Sequence, residues 1–273
     1  MVANDIVENA EPPPRPSLRK ALIGQVRLIR ALVLRDMMTH YAESRIGYIW
    51  KIVLPIFAVL IFWLIRNFRG SHAVSPYFPI GIFLITAFPF WMVFRDTYQH
   101  VLSATDRNDP LLVVPHVTVL DMIVSRAVSE IVANTLFFIV IAVGGAILFN
   151  DPPEHPAEIL ILFLISGWLG GALGLLMCPI HRMFPMVTQI LNMFLRIGMW
   201  ISGMAFTMRQ IPSQFWPYLS WNPVLQITEG VRQSWSSDYQ SPVFSIAYVL
   251  GCALTMTAMG LLLERGSRRF MGA

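Results

Sequence analysis

The sequence predicts an all-α integral membrane protein with six transmembrane helices, an N-terminal amphipathic interface helix and a re-entrant segment before the last span. Three observations support this fold class. The 273 residues are 55% hydrophobic and 13% charged, whereas soluble domains carry about 25% charged residues. Six apolar segments approach the ~20 residues that a helix needs to cross a bilayer. Basic residues are also concentrated on one side of these segments. A soluble enzyme, a disordered regulator and a nucleic-acid-binding module are therefore excluded.

The six predicted spans occupy residues 46–65, 77–94, 131–149, 159–177, 183–208 and 242–263. Pro79 and Pro89 predict a kinked or broken helix in the second span. The third is expected to begin near Leu120, so that a charged extension precedes its apolar part. The fourth contains two overlapping Gly-x-x-x-Gly spacings between Gly167 and Gly174. These permit close helix approach, either within the bundle, which we expect, or between protomers.

The distribution of basic residues predicts the orientation. Fifteen of the 20 Lys and Arg residues fall on the side that holds both termini. Four fall on the opposite side, namely Arg66, Arg69, Arg209 and Arg232. The remaining one, Arg196, lies within the fifth span. Because cytoplasmic loops are enriched in basic residues, both termini are expected in the cytoplasm. The net charge of +4 then reflects topology, and no nucleic-acid partner is expected.

The chain divides into three parts. Residues 1–16 are rich in proline and are expected to form a disordered cytoplasmic tail. Residues 17–44 are expected to form an amphipathic helix at the membrane surface, with a soluble helix packed on a partner as the alternative. Its apolar stripe recurs at helical spacing and comprises Leu18, Leu22, Val26, Ile29, Val33 and Met37. Residues 45–273 form the membrane domain.

A short cytoplasmic connection at 105–116 joins the second and third spans. Its polar start and its two prolines suit a rigid knob that docks into a partner's groove, and a plain loop fits the sequence equally well. The candidate docking residues, which the family resemblance given below would assign to ATPase coupling, are Arg107, Asn108, Asp109, Pro110, Leu111 and Pro115.

The segment 207–241, on the predicted outer side, is too polar to span a bilayer. Prolines divide it into short pieces that suit interfacial or re-entrant helices, with an aromatic belt that anchors a loop as the alternative. Its candidate functional residues are Phe215, Trp216, Tyr218, Trp221, Asn222, Pro223, Glu229 and Arg232. Glu229 and Arg232 are spaced i, i+3, so pairing on one helix face is a simpler interpretation of these two.

Arg196 lies near the middle of the fifth span. Insertion of an arginine at the bilayer centre costs at least about 2.5–3.5 kcal/mol, so the residue is a candidate functional site. It is expected to line a water-filled path and attract an anionic substrate, with pairing to Glu130 or snorkelling as the alternatives. Lys51 and Arg95, near the cytoplasmic ends of spans one and two, are candidates for a cationic vestibule or for ordinary interface anchors.

Several catalytic signatures are absent from the sequence. It contains no Gly-x-x-x-x-Gly-Lys-Ser/Thr phosphate loop, no His-Glu-x-x-His motif and no Gly-x-Ser-x-Gly elbow. Cys178 and Cys252 lie far apart and the six histidines are scattered, so no metal site and no cofactor are expected in this chain. The chain is therefore not predicted to be an enzyme. An ion-coupled secondary exporter and a membrane-embedded glycan-modifying enzyme remain alternatives.

Two motifs carry a resemblance to a known family. Residues 34–55, LRDMMTHYAESRIGYIWKIVLP, resemble the N-terminal signature of type-2 ABC exporter permeases. Residues 211–223, IPSQFWPYLSWNP, followed by Glu229 and Arg232, resemble the re-entrant segment of these permeases. The similarity runs from residue 17 to the C-terminus and is greatest to inner-membrane permeases of bacterial capsular polysaccharide export. O-antigen and teichoic acid permeases share the same plan. The run at 40–43, His-Tyr-Ala-Glu, replaces a more basic run in relatives.

The resemblance implies a homodimer in the bacterial inner membrane that exports a lipid-linked, acidic polysaccharide. Two ATP-binding cassette subunits would bind ATP and Mg and contact residues 17–44 and 105–116. A periplasmic adaptor would join the outer face to an outer-membrane exporter. Within a path formed by spans one, two and five, the residues expected to stack on sugar faces are Trp50, Trp91, Tyr98 and Trp200.

Overall fold

The computed structural model describes residues 18–43, 77–104 and 118–271, together with positions 53, 57, 61 and 64. Nine α-helices lie within these described ranges. They are α1 (Leu18–Glu43), α2 (Ile80–Ile85), α3 (Phe88–Ser103), α4 (Val119–Phe149), α5 (Pro156–Met183), α6 (Pro185–Met199), α7 (Trp216–Leu219), α8 (Pro223–Trp235) and α9 (Ile246–Met271). The predicted tail at 1–16 and the connection at 105–116 lie outside the described residues.

Four helical stretches of the described chain are long and apolar enough to cross a membrane. They are Ile80–Ser103, Val119–Phe149, Pro156–Met183 and Ile246–Ser267. These correspond to the predicted second, third, fourth and sixth spans. The first predicted span lies outside the described residues except at Val53, Phe57, Ile61 and Leu64, which are helical.

The second span is broken, as its prolines predict. α2 ends at Ile85 and α3 begins at Phe88. Pro89 occupies the first turn of α3, where its missing N–H costs nothing, whereas inside a continuous helix its ring would clash with the carbonyl of Ile85. The hydroxyl of Thr86 donates to the Phe83 carbonyl at 2.9 Å and satisfies one group freed by the break. α3 continues to Ser103, nine residues beyond the predicted end at Phe94.

The third span begins at Val119, which confirms the predicted start near Leu120. Thr118 and Asp121 form a capping box, in which each side chain accepts from the other residue's backbone N–H. The helix ends at Asn150, whose φ of 51° is left-handed, a conformation that asparagine tolerates well.

The predicted fifth span over 183–208 is interrupted in the structure, and its crossing of the membrane stays a prediction. α6 ends at Met199 after 15 residues, and a π-helical turn follows at Trp200–Met204. Within that turn Gly203 has a φ of 88°, which no regular helix accommodates. The chain then continues through short 3₁₀ turns at Met208–Gln210 and Ser213–Phe215.

α5 is the central helix and packs against α3, α4, α6, α8 and α9. Its small residues permit this because they bring the backbones of α5 and α3 together. A Cβ on Gly170 would lie 2.1 Å from the Phe94 carbonyl oxygen, and one on Gly174 would lie 2.7 Å from Val101. One turn before Gly170, the Ser166 hydroxyl donates to the Phe90 carbonyl at 2.8 Å. The expectation that the glycines serve packing within the protomer is confirmed.

The predicted N-terminal helix is present as α1, which packs mainly against α4. Its less exposed face overlaps the predicted apolar stripe, whose members Ile29, Val33 and Met37 are half-buried. Leu32 is buried, whereas Val26 of the stripe is 63% exposed. Gln25 donates to Asp121 on α4, and Gln25 and Leu32 are seven residues apart, on one helical face. The contact face is therefore partly polar, and the placement of α1 at a membrane surface stays a prediction.

Candidate functional site

A buried ion pair forms the centre of the segment 207–241. Glu229 and Arg232 lie one turn apart on α8, and both side chains are fully buried. Arg232 Nη1 donates to Glu229 Oε1 at 3.1 Å, which confirms the i, i+3 pairing. The other carboxylate oxygen accepts from the hydroxyls of Tyr239 at 2.5 Å and Ser241 at 3.0 Å. Burial, followed by the negative charge of Glu229, raises the pKa of Tyr239, so its phenol stays a donor.

The Arg232 guanidinium also holds the chain that follows α6. It donates to the carbonyl of Phe206 at 3.0 Å and to that of Gly203. Its carbon lies 4.1 Å from the ring centroid of Phe83 on α2, a cation–π contact. Charge-assisted hydrogen bonds to fixed carbonyls compensate the buried cation. Arg232 and Glu229 therefore join α8, α2 and the broken end of α6.

The N-terminus of α8 is attached to the same break. The Asn222 side chain accepts from the backbone N–H of Val224 at 3.0 Å and of Leu225 at 3.3 Å, and so caps the helix. Its amide donates to the Ser202 hydroxyl at 2.9 Å. Pro223 occupies the first turn of α8, where its fixed φ suits a helix start.

The aromatic residues of the segment 207–241 differ in how far they are exposed. Trp216 is partly buried, and its indole N–H donates to the carbonyls of Met208 at 3.1 Å and Ile211 at 2.9 Å. Phe215, Tyr218 and Trp221 are 48%, 79% and 78% exposed. The predicted division of this segment into short helices is confirmed, and its re-entry into the membrane stays a prediction.

Arg196 lies on the exposed side of α6. Thr188 is the only residue of this helix that is buried. Large apolar side chains cover the rest of its surface and include Met186, Ile190, Met193, Phe194 and Ile197. Within the described part of the chain, no carboxylate pairs with Arg196. The predicted alternative partner, Glu130, accepts from the Asn134 amide at 2.8 Å.

The structure separates the other predicted path residues. Trp91 is 4% exposed and Tyr98 is fully buried, so both belong to the protomer core and present no face to a ligand. Trp200 is 45% exposed at the end of α6. Arg95 is partly exposed and pairs with its neighbour Asp96 at 3.0 Å. Trp50, Lys51 and the coupling residues of 105–116 lie outside the described residues.

A polar junction that the sequence did not reveal attaches α1 to the bundle. Asp36 on α1 contacts His100 Nε2 on α3 at 2.9 Å. The same carboxylate accepts from the Ser129 hydroxyl on α4. Because His100 and Ser129 are 64 and 93 positions away from Asp36, no local spacing signals the cluster. One carboxylate thus connects three helices.

The described residues include no group of three or more His, Cys, Asp or Glu side chains placed to hold a metal ion.

Comparison with known protein families identifies the family to which the chain belongs. The model of the ABC-2 type transporter family matches residues 27–235, which run from α1 to the end of α8. The chain belongs to the ABC-2 type transporter family. The resemblance inferred from residues 34–55 and 211–223 is therefore confirmed.

This ABC-2 transporter is similar to curated proteins over most of its length. It is 28% identical over 248 residues to the capsule polysaccharide export inner-membrane protein CtrC of Neisseria meningitidis serogroup A, covering 90% of this chain and 93% of CtrC. It is 27% identical to the capsule polysaccharide export inner-membrane protein BexB of Haemophilus influenzae, covering 91% and 94%. It is 26% identical to the polysialic acid transport protein KpsM of Escherichia coli, covering 87% and 92%.

Proposed function

We propose that the chain is the permease subunit of an ATP-driven exporter that moves a lipid-linked, acidic polysaccharide across the bacterial inner membrane. The observation that carries this proposal is similarity over 87–91% of the chain to relatives whose names specify capsule polysaccharide export or polysialic acid transport. Two of the three names also place the relative in the inner membrane. The helices that can cross a membrane agree with a multi-pass permease.

A homodimer explains the exposed face of α6. Arg196 lies in the last turn of α6, and a charged side chain that faces lipid within the membrane is costly. In the homodimer, a second copy covers the apolar side chains of α6, and Arg196 faces a water-filled path between the two copies. There its guanidinium attracts anionic groups of the polymer. Trp200 beside it, and Trp50 and Lys51 on the first span, complete the path in this proposal.

Energy comes from a partner. The sequence contains no phosphate loop, so ATP and Mg are bound by an ATP-binding cassette dimer on the cytoplasmic side. That dimer contacts α1 and residues 105–116, and the junction of Asp36 with His100 and Ser129 transmits movement of α1 to α3 and α4. Both termini are cytoplasmic, and a periplasmic adaptor on the outer face leads to an outer-membrane exporter.

Affinity purification from the native host tests the assembly. The tagged chain should recover an ATP-binding subunit at one copy per permease, and cells that lack the chain should lose surface polysaccharide while retaining it inside. Recovery of the permease without an ATPase, together with transport driven by an ion gradient, would contradict the proposal.

Substitution of Arg196 tests the path. Arg196→Ala should lower surface polysaccharide, and Arg196→Lys, which keeps the charge, should restore part of it. Arg265→Ala is the matched control, because Arg265 is also an exposed arginine on a helix but lies at the predicted cytoplasmic end of α9. Equal export by both alanine variants at equal expression would remove Arg196 from the path.

A further inference from the structure

An open cleft lies between the α7–α8 segment and the start of α9. Its volume is 440 Å³, within the range of about 300–1,000 Å³ that small-ligand sites occupy. Nine residues line it, and none of the nine is charged: Trp216, Pro217, Ser220, Trp221, Gln226, Pro242, Val243, Ser245 and Tyr248. Three of them are aromatic and three others carry a hydroxyl or an amide.

Hydrogen bonds fix several of the polar groups that line the cleft before any ligand arrives. The buried Gln226 amide donates to the Ser220 carbonyl at 2.7 Å and accepts from the Ser245 backbone N–H at 2.9 Å. The Tyr248 hydroxyl donates to the Trp221 carbonyl at 2.8 Å and so joins the two walls. The Trp216 indole N–H is occupied by the carbonyl of Met208. Fixed side chains reduce the entropic cost of binding.

These hydrogen bonds determine what the cleft can offer to a ligand. The hydroxyls of Tyr248 and Ser220 each donate a hydrogen bond to a backbone carbonyl. Their oxygens therefore remain available as acceptors. Trp221 is 78% exposed and presents a large apolar face. The cleft therefore combines aromatic faces with hydroxyl acceptors and carries no charge.

We infer that this cleft binds a saccharide unit of the exported polymer on the outer side of the membrane. A pyranose ring carries C–H groups on its faces, which pack on the electron-rich face of an aromatic ring, and hydroxyl donors at its rim, which match the acceptors of Tyr248 and Ser220. A phosphate headgroup or a sugar carboxylate would need a cationic partner, and none lines the cleft, so the unit bound there is a neutral part of the polymer. The inference rests on the proposed function and adds a second saccharide contact, separate from Arg196.

Binding is measured on the full-length chain in lipid nanodiscs with two probes, a sialic acid tetramer and maltotetraose. Saturation-transfer NMR detects contact with the sugar rings, and titration gives the Kd. Trp221→Ala should weaken binding about tenfold through loss of the stacking face. Tyr248→Phe keeps the ring and should weaken binding about threefold. Ser245→Trp fills the cleft from an exposed position and should abolish binding.

The matched control is Trp168→Phe. Trp168 is 36% exposed on α5, and its indole N–H donates to Thr257 on α9, away from the cleft. This variant should bind both tetrasaccharides as the unsubstituted chain does. Wild-type affinity in Trp221→Ala, or no saturable binding of either probe to the unsubstituted chain, would overturn the inference. If Trp221→Ala changed the thermal stability of the protein in the nanodisc but not its saccharide affinity, the aromatic residues would only anchor the segment. That result would also overturn the inference.

Polysaccharide export and ATPase recovery are measured in parallel. The proposed function and the cleft assignment can then be tested independently of each other. If the chain exports polysaccharide with its ATPase and shows no saccharide contact at the cleft, only the cleft assignment is wrong. If no ATPase is recovered and no polysaccharide depends on the chain, the proposed function is wrong whatever the titration shows.

Discussion

α6 and α8 lie close together in the chain, and each carries one arginine, yet the two arginines have opposite surroundings. Arg232 on α8 is fully buried and donates to Glu229 and to two backbone carbonyls. Arg196 on α6 is exposed among apolar side chains, and no carboxylate of the described chain pairs with it. The charge of Arg232 is compensated within the protomer, whereas that of Arg196 requires water or a group from outside the protomer.

The difference shows how one residue type serves structure at one place and is available for function at another. A fully buried cation that donates to a carboxylate and to backbone carbonyls holds elements together and is inaccessible to a substrate. A cation on an otherwise apolar exposed helix requires an explanation outside the protomer. Variants in the two regions should therefore separate loss of stability from loss of export.

The largest effect is expected at Arg232. Arg232→Met should reduce the free energy of unfolding by about 3–5 kcal/mol, because the buried Glu229 charge loses its partner. Thermal unfolding in detergent, followed by tryptophan fluorescence, measures it. The double variant Arg232→Met/Glu229→Gln should recover part of the loss. A loss in the single variant below about 1 kcal/mol would mean that the pair behaves like an exposed one.

Gly203 should show the next largest effect. Its φ is 88° and an added Cβ would lie 3.1 Å from Leu225 Cδ1, so Gly203→Ala should reduce the unfolding free energy by about 1–3 kcal/mol. Gly198→Ala on α6 is the control, since a Cβ there meets only Trp91, at 3.4 Å, and alanine should stabilise the helix by up to about 1 kcal/mol. Equal melting temperatures for the two variants would argue against a break stabilised by α8.

Asn222→Ala should cost about 0.5–2 kcal/mol through loss of the α8 cap. Asn222→Asp keeps the acceptor for the Val224 and Leu225 N–H groups and removes the donor to Ser202. The aspartate variant should therefore lose less stability than the alanine variant in the same unfolding measurement. Equal losses would assign the effect to the bond with Ser202, which both variants lack.

Arg196→Ala should have the smallest effect on stability, within about 0.5 kcal/mol, as expected for an exposed position. Surface polysaccharide should nevertheless fall. This is the reverse of Arg232→Met, whose export should fall only in proportion to the folded protein remaining. A destabilised Arg196→Ala protein in the same melting experiment would show that Arg196 is structural.

Much of the helical architecture was predictable because its signals are local. Apolar length located the second, third, fourth and sixth spans, and Pro89 predicted the break between α2 and α3. The glycine spacing around Gly170 predicted close packing. The break within the fifth predicted span was not anticipated, because apolar length does not reveal the positive φ of Gly203. The core positions of Trp91 and Tyr98 were equally hidden, since an aromatic residue in a span suits lipid, core and path alike.

The sequence by itself determined the membrane class, the family and the expected orientation, since composition, apolar length, basic-residue bias and two motifs are properties of the linear chain. Only the tertiary structure decided that Glu229 and Arg232 are buried together, that Asp36 joins three helices and that Arg196 is exposed. These outcomes depend on which surfaces of distant segments meet. The free-energy contribution of a charged side chain depends on its burial and its partners, and both are set by how these segments pack together.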